Sequence, residues 1–141
     1  MALTLFVIHK KYQLKNYDFL LMEEIVYSII IPHYNIPLLL ERLLVSIPKR
    51  HDVEVIVADD GSPKKVCSEL EAMASRRPEI RLLLLEGNLG AGYARNAAIG
   101  VARGRWVLFA DADDFFVLTR WSSVANGVVG LMVIPNQSFP K

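Results

Sequence analysis

Residues Val53–Ser62 read VEVIVADDGS: a run of β-branched and small apolar residues, broken only by Glu54, that stops abruptly on two aspartates, a glycine and a serine. That composition predicts a strand closed by a polar turn. The same succession recurs on both sides. YSIIIP (Tyr27–Pro32) leads into His33-Tyr34-Asn35, Ile80–Leu85 leads into the glycine-rich loop Gly87–Gly92, and WVLFA (Trp106–Ala110) leads into Asp111-Ala112-Asp113-Asp114. Helical spacing fills the intervals. Pro37–Ile47 carries Leu39, Leu40, Leu43 and Leu44 on one face, with Pro37 suited to a first turn. Pro63–Ser75 is amphipathic through Val66, Leu70 and Met73, and Ala91–Ala102 has the small residues of a helix that packs close to a sheet.

Strands alternating with helices over short connections predict an α/β fold with a doubly wound, mostly parallel sheet buried on both faces. Right-handed crossovers bring the C-terminal ends of all the strands to one edge. Ligands of such sheets bind in the crevice beyond that edge. The four polar clusters of this chain all fall there, so the edge is the expected binding site.

Composition narrows the function. The chain has 141 residues, enough for one domain with its own core. Lys and Arg number 16 against 15 Asp and Glu, and a net charge of +1 gives no electrostatic basis for binding nucleic acid. Cys67 is the only cysteine, which excludes an internal disulfide and a cysteine-based zinc site and fits a reducing compartment. Its helical spacing with Val66 and Leu70 predicts a small buried residue. His9, His33 and His51 have no neighbour at metal-ligand spacing and are read as non-metal, while Trp106, Phe109, Phe115 and Phe116 are read as core. The longest apolar runs (Leu3–Ile8, Ile29–Pro32 and Val128–Pro135) fall short of the roughly 18 to 20 residues of a membrane helix. Lys10 and Lys11 follow the first apolar run instead of preceding it, unlike a signal peptide. The expected location is the cytoplasm, with peripheral contact at the inner face of the membrane left open.

Each cluster has its own chemistry. Three carboxylates within Asp111–Asp114 repel one another unless a cation joins them. In extended backbone Asp111 and Asp113 project to one side, where they can share a hard divalent ion completed by water and phosphate oxygens. The competing possibility is a solvated turn or helix cap. Asp59-Asp60-Gly61-Ser62 can cap the helix that follows. It can also offer a carboxylate to a ligand N–H such as a pyrimidine imide, with Gly61 allowing a sharp turn. Gly87–Gly92 opens a helix whose N-terminus favours phosphate, and Arg95 lies one turn in, placed to neutralise a diphosphate. The spacing is not a dinucleotide fingerprint, since Arg95 stands at the third glycine position, and no P-loop Gly-Lys-Ser/Thr occurs. Tyr34 is either a platform for a planar base or a packing residue.

Taken together, Ser28–Asn35, Val57–Ser62, Asn88-Leu89-Gly90 with Ala94-Arg95-Asn96, and Gly104–Asp114 resemble the family 2 glycosyltransferases, inverting enzymes of the GT-A fold with nucleotide-sugar donors. The resemblance covers residues 27–116 with the motifs in the family's order. It implies the Rossmann-like nucleotide-binding half of that fold. The donor-binding set it implies is Pro32, Tyr34, Asn35, Asp59, Asp60, Gly61, Ser62, Asn88, Gly90, Arg95, Asp111 and Ala112. Tyr34 would line the base pocket, Asp60 would accept the uracil imide hydrogen with Asp59 beside it, and Arg95 would lie near the diphosphate. Asp111 and Asp113 form the Asp-x-Asp motif, with Asp113 the metal ligand and Asp111 facing the ribose or the metal shell. The implied cofactor is Mg²⁺ or Mn²⁺ and the implied donor a UDP-sugar. The acceptor, a saccharide or lipid-linked saccharide within polysaccharide biosynthesis, is not specified.

The flanks depart from the family. Residues 1–26 are an unmatched extension, and 117–141 are a divergent tail where the acceptor half is expected. Residues 115–141 contain no Asp, Glu or His, so no carboxylate base of the usual kind can come from them. A hydrophobic content of 52% and a mean hydropathy of +0.29 fit a truncated donor half with exposed apolar surface, open to self-association or a partner chain. The expectation is a glycosyltransferase-like chain that binds donor and by itself lacks transfer. The alternative is a non-catalytic nucleotide-binding or interaction module; a phosphoryl- or nucleotidyl-transferase is disfavoured by the missing P-loop and base.

Overall fold

A computed structural model describes residues 24–114 and the backbone of 133–135. Strand β1 (Tyr27–His33), helix α1 (Pro37–Ser46), β2 (Val53–Asp59), α2 (Lys64–Ser75), β3 (Ile80–Leu84), α3 (Ala91–Ile99) and β4 (Trp106–Phe109) follow in order, and β5 (Val133–Pro135) completes the sheet. The strand order is β3-β2-β1-β4-β5. The first four are parallel and β5 runs antiparallel to β4. Central β1 lies in register with both neighbours, Ile29 opposite Val55 and Leu108, and His33 opposite Asp59.

Alternate side chains of a strand face opposite sides, and both sides are covered. On one, Ile29, Ile31, Val55, Val57 and Leu108 pack with Leu40, Leu43 and Leu44 of α1 and with Val66 and Leu70 of α2. On the other, Ile30, Ile56, Ala58 and Val107 pack with Ala94 and Ala98 of α3. The small side chains of α3 let it lie close to the sheet, as its composition predicts. Leu39 departs from its expected place: it is exposed, as are Leu38 and Val45, because α1 buries only Leu40, Leu43 and Leu44. Helix α3 stops at Ile99, short of Ala102. Past Gly100 the amides of Val101 and Ala102 bond three residues back, tightening the chain into a turn. Trp106 and Phe109 are half-buried at the strand ends instead of fully in the core; Phe115 and Phe116 lie outside the described residues.

A buried acid ties the N-terminal edge of the sheet. Glu54 is 2% exposed, and its Oε1 accepts from the Ser28 hydroxyl (2.7 Å) and the Arg103 N–H (2.6 Å). Its Oε2 accepts from Arg103 Nε at 2.9 Å, with Arg81 Nη1 at 3.6 Å. Gly104 donates to the same serine at 2.8 Å, and a methyl group there would meet Ser28 N at 2.6 Å. Burial would push the Glu54 carboxyl up; the hydrogen bonds from Arg103 and Ser28 outweigh it and hold the group below the usual carboxylate range. This end is a staple, which leaves the opposite edge for ligands. No helix among the described residues is long and apolar enough to cross a membrane.

Candidate functional site

The loops after β1, β2, β3 and β4 meet at the C-terminal edge, and the Asp59–Ser62 turn is their hub. Asp59 is fully buried. Its Oδ1 takes the Ser62 hydroxyl at 2.5 Å and lies 2.7 Å from His33 Nδ1, and its Oδ2 accepts the Ser62 N–H at 2.8 Å. That bonding makes Asp59 a support behind the site, where the sequence placed it beside the ligand. Ser62 Oγ in turn accepts the N–H of Asn35 at 2.8 Å, and His33 Nε2 accepts the N–H of Ile36 at 3.2 Å. Asn35 holds a left-handed φ of 54°. Tyr34, between these tethers, is 46% exposed and so is not packed into the core.

Asp60 faces the next loop. Its two oxygens accept the N–H groups of Leu89 (2.9 Å) and Gly90 (2.7 Å), fixing the entry to α3. Each oxygen retains lone-pair capacity for a ligand N–H. The expected helix cap is absent: Pro63 is the N-cap of α2 and no side chain accepts a first-turn N–H as a cap, since Asp59 already folds back on Ser62. Helix α3 likewise begins without a side-chain cap, its N-cap Gly90 at φ 97°, leaving first-turn N–H groups facing the edge. Asn88 and Gly90 are exposed beside it and Pro32 is buried at the end of β1.

The Asp111–Asp114 segment is a turn, which corrects the extended backbone assumed from sequence. The Asp114 N–H bonds to Asp111 O and Asp114 Oδ2 accepts the Asp111 N–H, each at 2.9 Å. Ala112 is buried in the core and pins the turn. Arg42 of α1 holds the carbonyl of Asp113 at 3.0 Å. The carboxylates of Asp111 and Asp113 are exposed, and Arg95 reaches across from α3 to Asp111 at 2.6 Å. Arg95 and Asp111, expected to serve a diphosphate and a cation, thus meet as an ion pair. Among the described residues no three His, Cys, Asp or Glu side chains gather into a metal cage.

A profile of glycosyl transferase family 2 matches residues 28–127. The chain belongs to that family. The match runs past the boundary drawn at Phe116, and β5 lies inside the tail set apart from the family core. Family relatives include the uncharacterized glycosyltransferase EpsJ of Bacillus subtilis (strain 168), 36% identical over 90 residues, which are 62% of this chain and 26% of EpsJ. The succinoglycan biosynthesis protein ExoO of Rhizobium meliloti (strain 1021) is 47% identical over 62 residues, 44% of this chain and 17% of ExoO. Among solved structures, S. aureus TarS 1–349 in complex with UDP-GlcNAc superposes with a TM-score of 0.62 at 32% identity, over 72% of this chain and 30% of that one. The mannosyltransferase PcManGT from Pyrobaculum calidifontis in complex with GDP-Man and Mn²⁺ gives 0.61 at 28% identity, over 74% and 32%. The chain therefore spans a third or less of each, and its fold is that of the GT-A glycosyltransferases' nucleotide-binding part.

Two residues of the site, His33 and Arg42, escaped the sequence, and Cys67 departs from the buried place expected of it. His33 and Asp59 face each other only through the parallel register, a pairing 26 residues apart that local pattern does not reveal. Arg42 reads as an ordinary helix-surface cation until the fold brings it to Asp113. Cys67 is half-buried, and its thiol points to Ser62 O at 3.3 Å. Burial and the nearby Asp59 carboxylate push its pKa up, so it is a protonated packing group.

Proposed function

We propose that residues 27–116 bind the nucleoside diphosphate of a nucleotide sugar, expected to be a UDP-sugar, at the C-terminal edge of the sheet. The observation that carries this reading is the Arg95–Asp111 pair between the uncapped start of α3 and the Asp111–Asp114 turn. It sets a cation, free helix N–H groups and exposed carboxylates around one space. A diphosphate with a divalent ion presents the complementary charges. Tyr34 then stacks on the base and Asp60 receives its imide hydrogen. Arg95 and the first turn of α3 hold the diphosphate.

The donor set suits a hard cation: Asp113 and Asp111 offer exposed carboxylate oxygens, too few to enclose an ion, so water and phosphate oxygens would complete its shell. Asp113 with Asp111 would hold Mg²⁺ or Mn²⁺, which when bound supplies Lewis-acid stabilisation of the departing nucleoside diphosphate. In a complete enzyme the reaction is sugar transfer to an acceptor hydroxyl of a saccharide or lipid-linked saccharide, with inversion. A second reading, donor binding without transfer by this 141-residue chain, is favoured by the absence of Asp, Glu and His from residues 115–141. Release of labelled sugar to an acceptor by the purified chain would exclude it.

The test of binding is thermal stabilisation by UDP with and without Mn²⁺, beside Asp113→Ala. A ligand that binds only the folded state adds about 2.7 kcal/mol at a hundredfold excess over Kd, a clear shift for a domain of this size. The expected result is a Mn²⁺-dependent rise in Tm that Asp113→Ala loses while its own unliganded Tm stays within about 2 °C of wild type. Arg42 bonds the backbone of residue 113, so the turn survives that substitution. A folded wild-type chain with no shift overturns the proposal.

A further inference from the structure

The base side of the site hangs on a buried network that the nucleotide reading leaves unused. His33 and Asp59 have no exposed side-chain surface, and His33 Nδ1 lies 2.7 Å from Asp59 Oδ1. On the other side of the ring, Nε2 lies 3.2 Å from the backbone nitrogen of Ile36. A backbone N–H can only donate, so Nε2 must carry the lone pair and the proton must sit on Nδ1, given to Asp59. Asp59 also holds Ser62, whose Oγ accepts the Asn35 N–H at 2.8 Å. Two successive backbone N–H groups, those of Asn35 and Ile36, are therefore anchored through two different side chains to one carboxylate. Tyr34 precedes them directly, on a loop that also includes the left-handed Asn35.

We propose that His33 is a positioning residue for donor binding: with its Nδ1 proton on Asp59 and Nε2 on the Ile36 N–H, it sets the Tyr34–Ile36 loop that receives the base. The inference rests on the nucleotide reading and deepens its base half. Its physical content is preorganisation. A loop held before the ligand arrives loses less freedom on binding, so the tether appears as affinity. The diphosphate half is held by Arg95, α3 and the Asp111–Asp114 turn, and the side-chain bonds of His33 and Asp59 go to Ile36, Ser62, Cys67 and each other instead of to those elements. His33 therefore acts on the base and leaves the phosphates alone.

The experiment uses the full 141-residue chain. Long-range ¹H–¹⁵N spectra of the wild type are expected to show His33 neutral with the proton on Nδ1, and amide exchange should find Asn35 and Ile36 protected. His33→Asn keeps an N–H donor for Asp59 at the Nδ1 position and removes the acceptor for Ile36. His33→Gln does the converse, its carbonyl oxygen reaching towards the Nε2 position. UDP and inorganic pyrophosphate, each with Mn²⁺, are then titrated calorimetrically. His33→Asn is expected to speed exchange at Ile36 and leave Asn35 protected. It should weaken UDP roughly tenfold, the scale of one lost buried hydrogen bond, without changing pyrophosphate. His33→Gln should retain more of the Ile36 protection and more of the UDP affinity than His33→Asn. A proton on Nε2, unchanged UDP affinity in both variants, or equal losses for UDP and pyrophosphate would each overturn the proposal. A folded wild type that binds neither UDP nor pyrophosphate refutes the nucleotide reading, and this inference falls with it. The tautomer measurement needs no variant, so a proton on Nε2 overturns the proposal even if a substituted chain fails to fold.

Discussion

A methyl group added at Gly61 would lie 2.6 Å from the carbonyl carbon and oxygen of Gly87, and Gly61 itself holds φ at +76°. The two glycines let the turn after β2 and the loop after β3 touch backbone to backbone, which brings Asp60 within reach of the Leu89 and Gly90 amides. Gly61→Ala faces both a left-handed backbone and a clash against main chain that cannot rotate away. We expect it to destabilise the domain by about 2 to 4 kcal/mol, as the sum of strain and overpacking, measured by urea unfolding. A loss below about 1 kcal/mol would mean that the two loops part easily. The need for glycine at a sharp turn was legible in Asp-Asp-Gly-Ser. Its partner was not, because the contact joins positions 26 residues apart across a crossover. Asp59 and Asp60 make the same point: two adjacent carboxylates read alike in sequence, yet one is bonded inward to His33 and Ser62 and the other outward to the α3 loop.

The elements were the legible level. Four apolar runs, two amphipathic stretches and one small-residue stretch fall where the strands and helices lie, because these patterns depend on local spacing alone. What local spacing misses is pairing. β5 at the sheet edge and the burial of Glu54 depend on neighbours distant in the chain, as does the bond from Arg42 that holds the Asp111–Asp114 turn. Within VEVIVA the acid looks like an interruption; in the fold it ties β1, β2, β3 and the approach to β4. Removing the charge leaves Arg103 and the Ser28 hydroxyl facing a weaker acceptor at a buried position. Glu54→Gln is expected to cost about 3 kcal/mol. The pH dependence follows from the lowered pKa. Glu54 titrates below its ordinary value of 4.5 in the folded state, so its contribution is complete above that value and is lost as pH falls through the folded pKa. Unfolding midpoints measured from neutral pH down to about pH 3.5 should fall more steeply for wild type than for Glu54→Gln. Parallel profiles would contradict the role given to the charge.

At the scale of the whole molecule, the sheet separates its tasks by edge. Strand β2 carries Glu54 at one end and leads into Asp60 at the other, about 20 Å apart at strand rise. The stapled edge holds the strands together, and the opposite edge gathers the polar loops. The parallel crossovers make that division, since β1 to β4 all leave the core at the same side. The division has a measurable consequence. Glu54→Gln should lower unfolding stability and leave the UDP–Mn²⁺ affinity of the folded chain within about twofold of wild type, whereas Asp113→Ala should do the reverse. The doubly substituted chain should then show each loss at its single-variant size, with a coupling energy no larger than about 0.5 kcal/mol, because sites this far apart share no contacts. Calorimetric titration below the unfolding range gives the affinities, and urea unfolding without ligand gives the stabilities. A larger coupling would mean that strain at the staple travels along β1 and β2 to the loops. The sheet would then be part of the binding site, and its two edges could not be engineered independently.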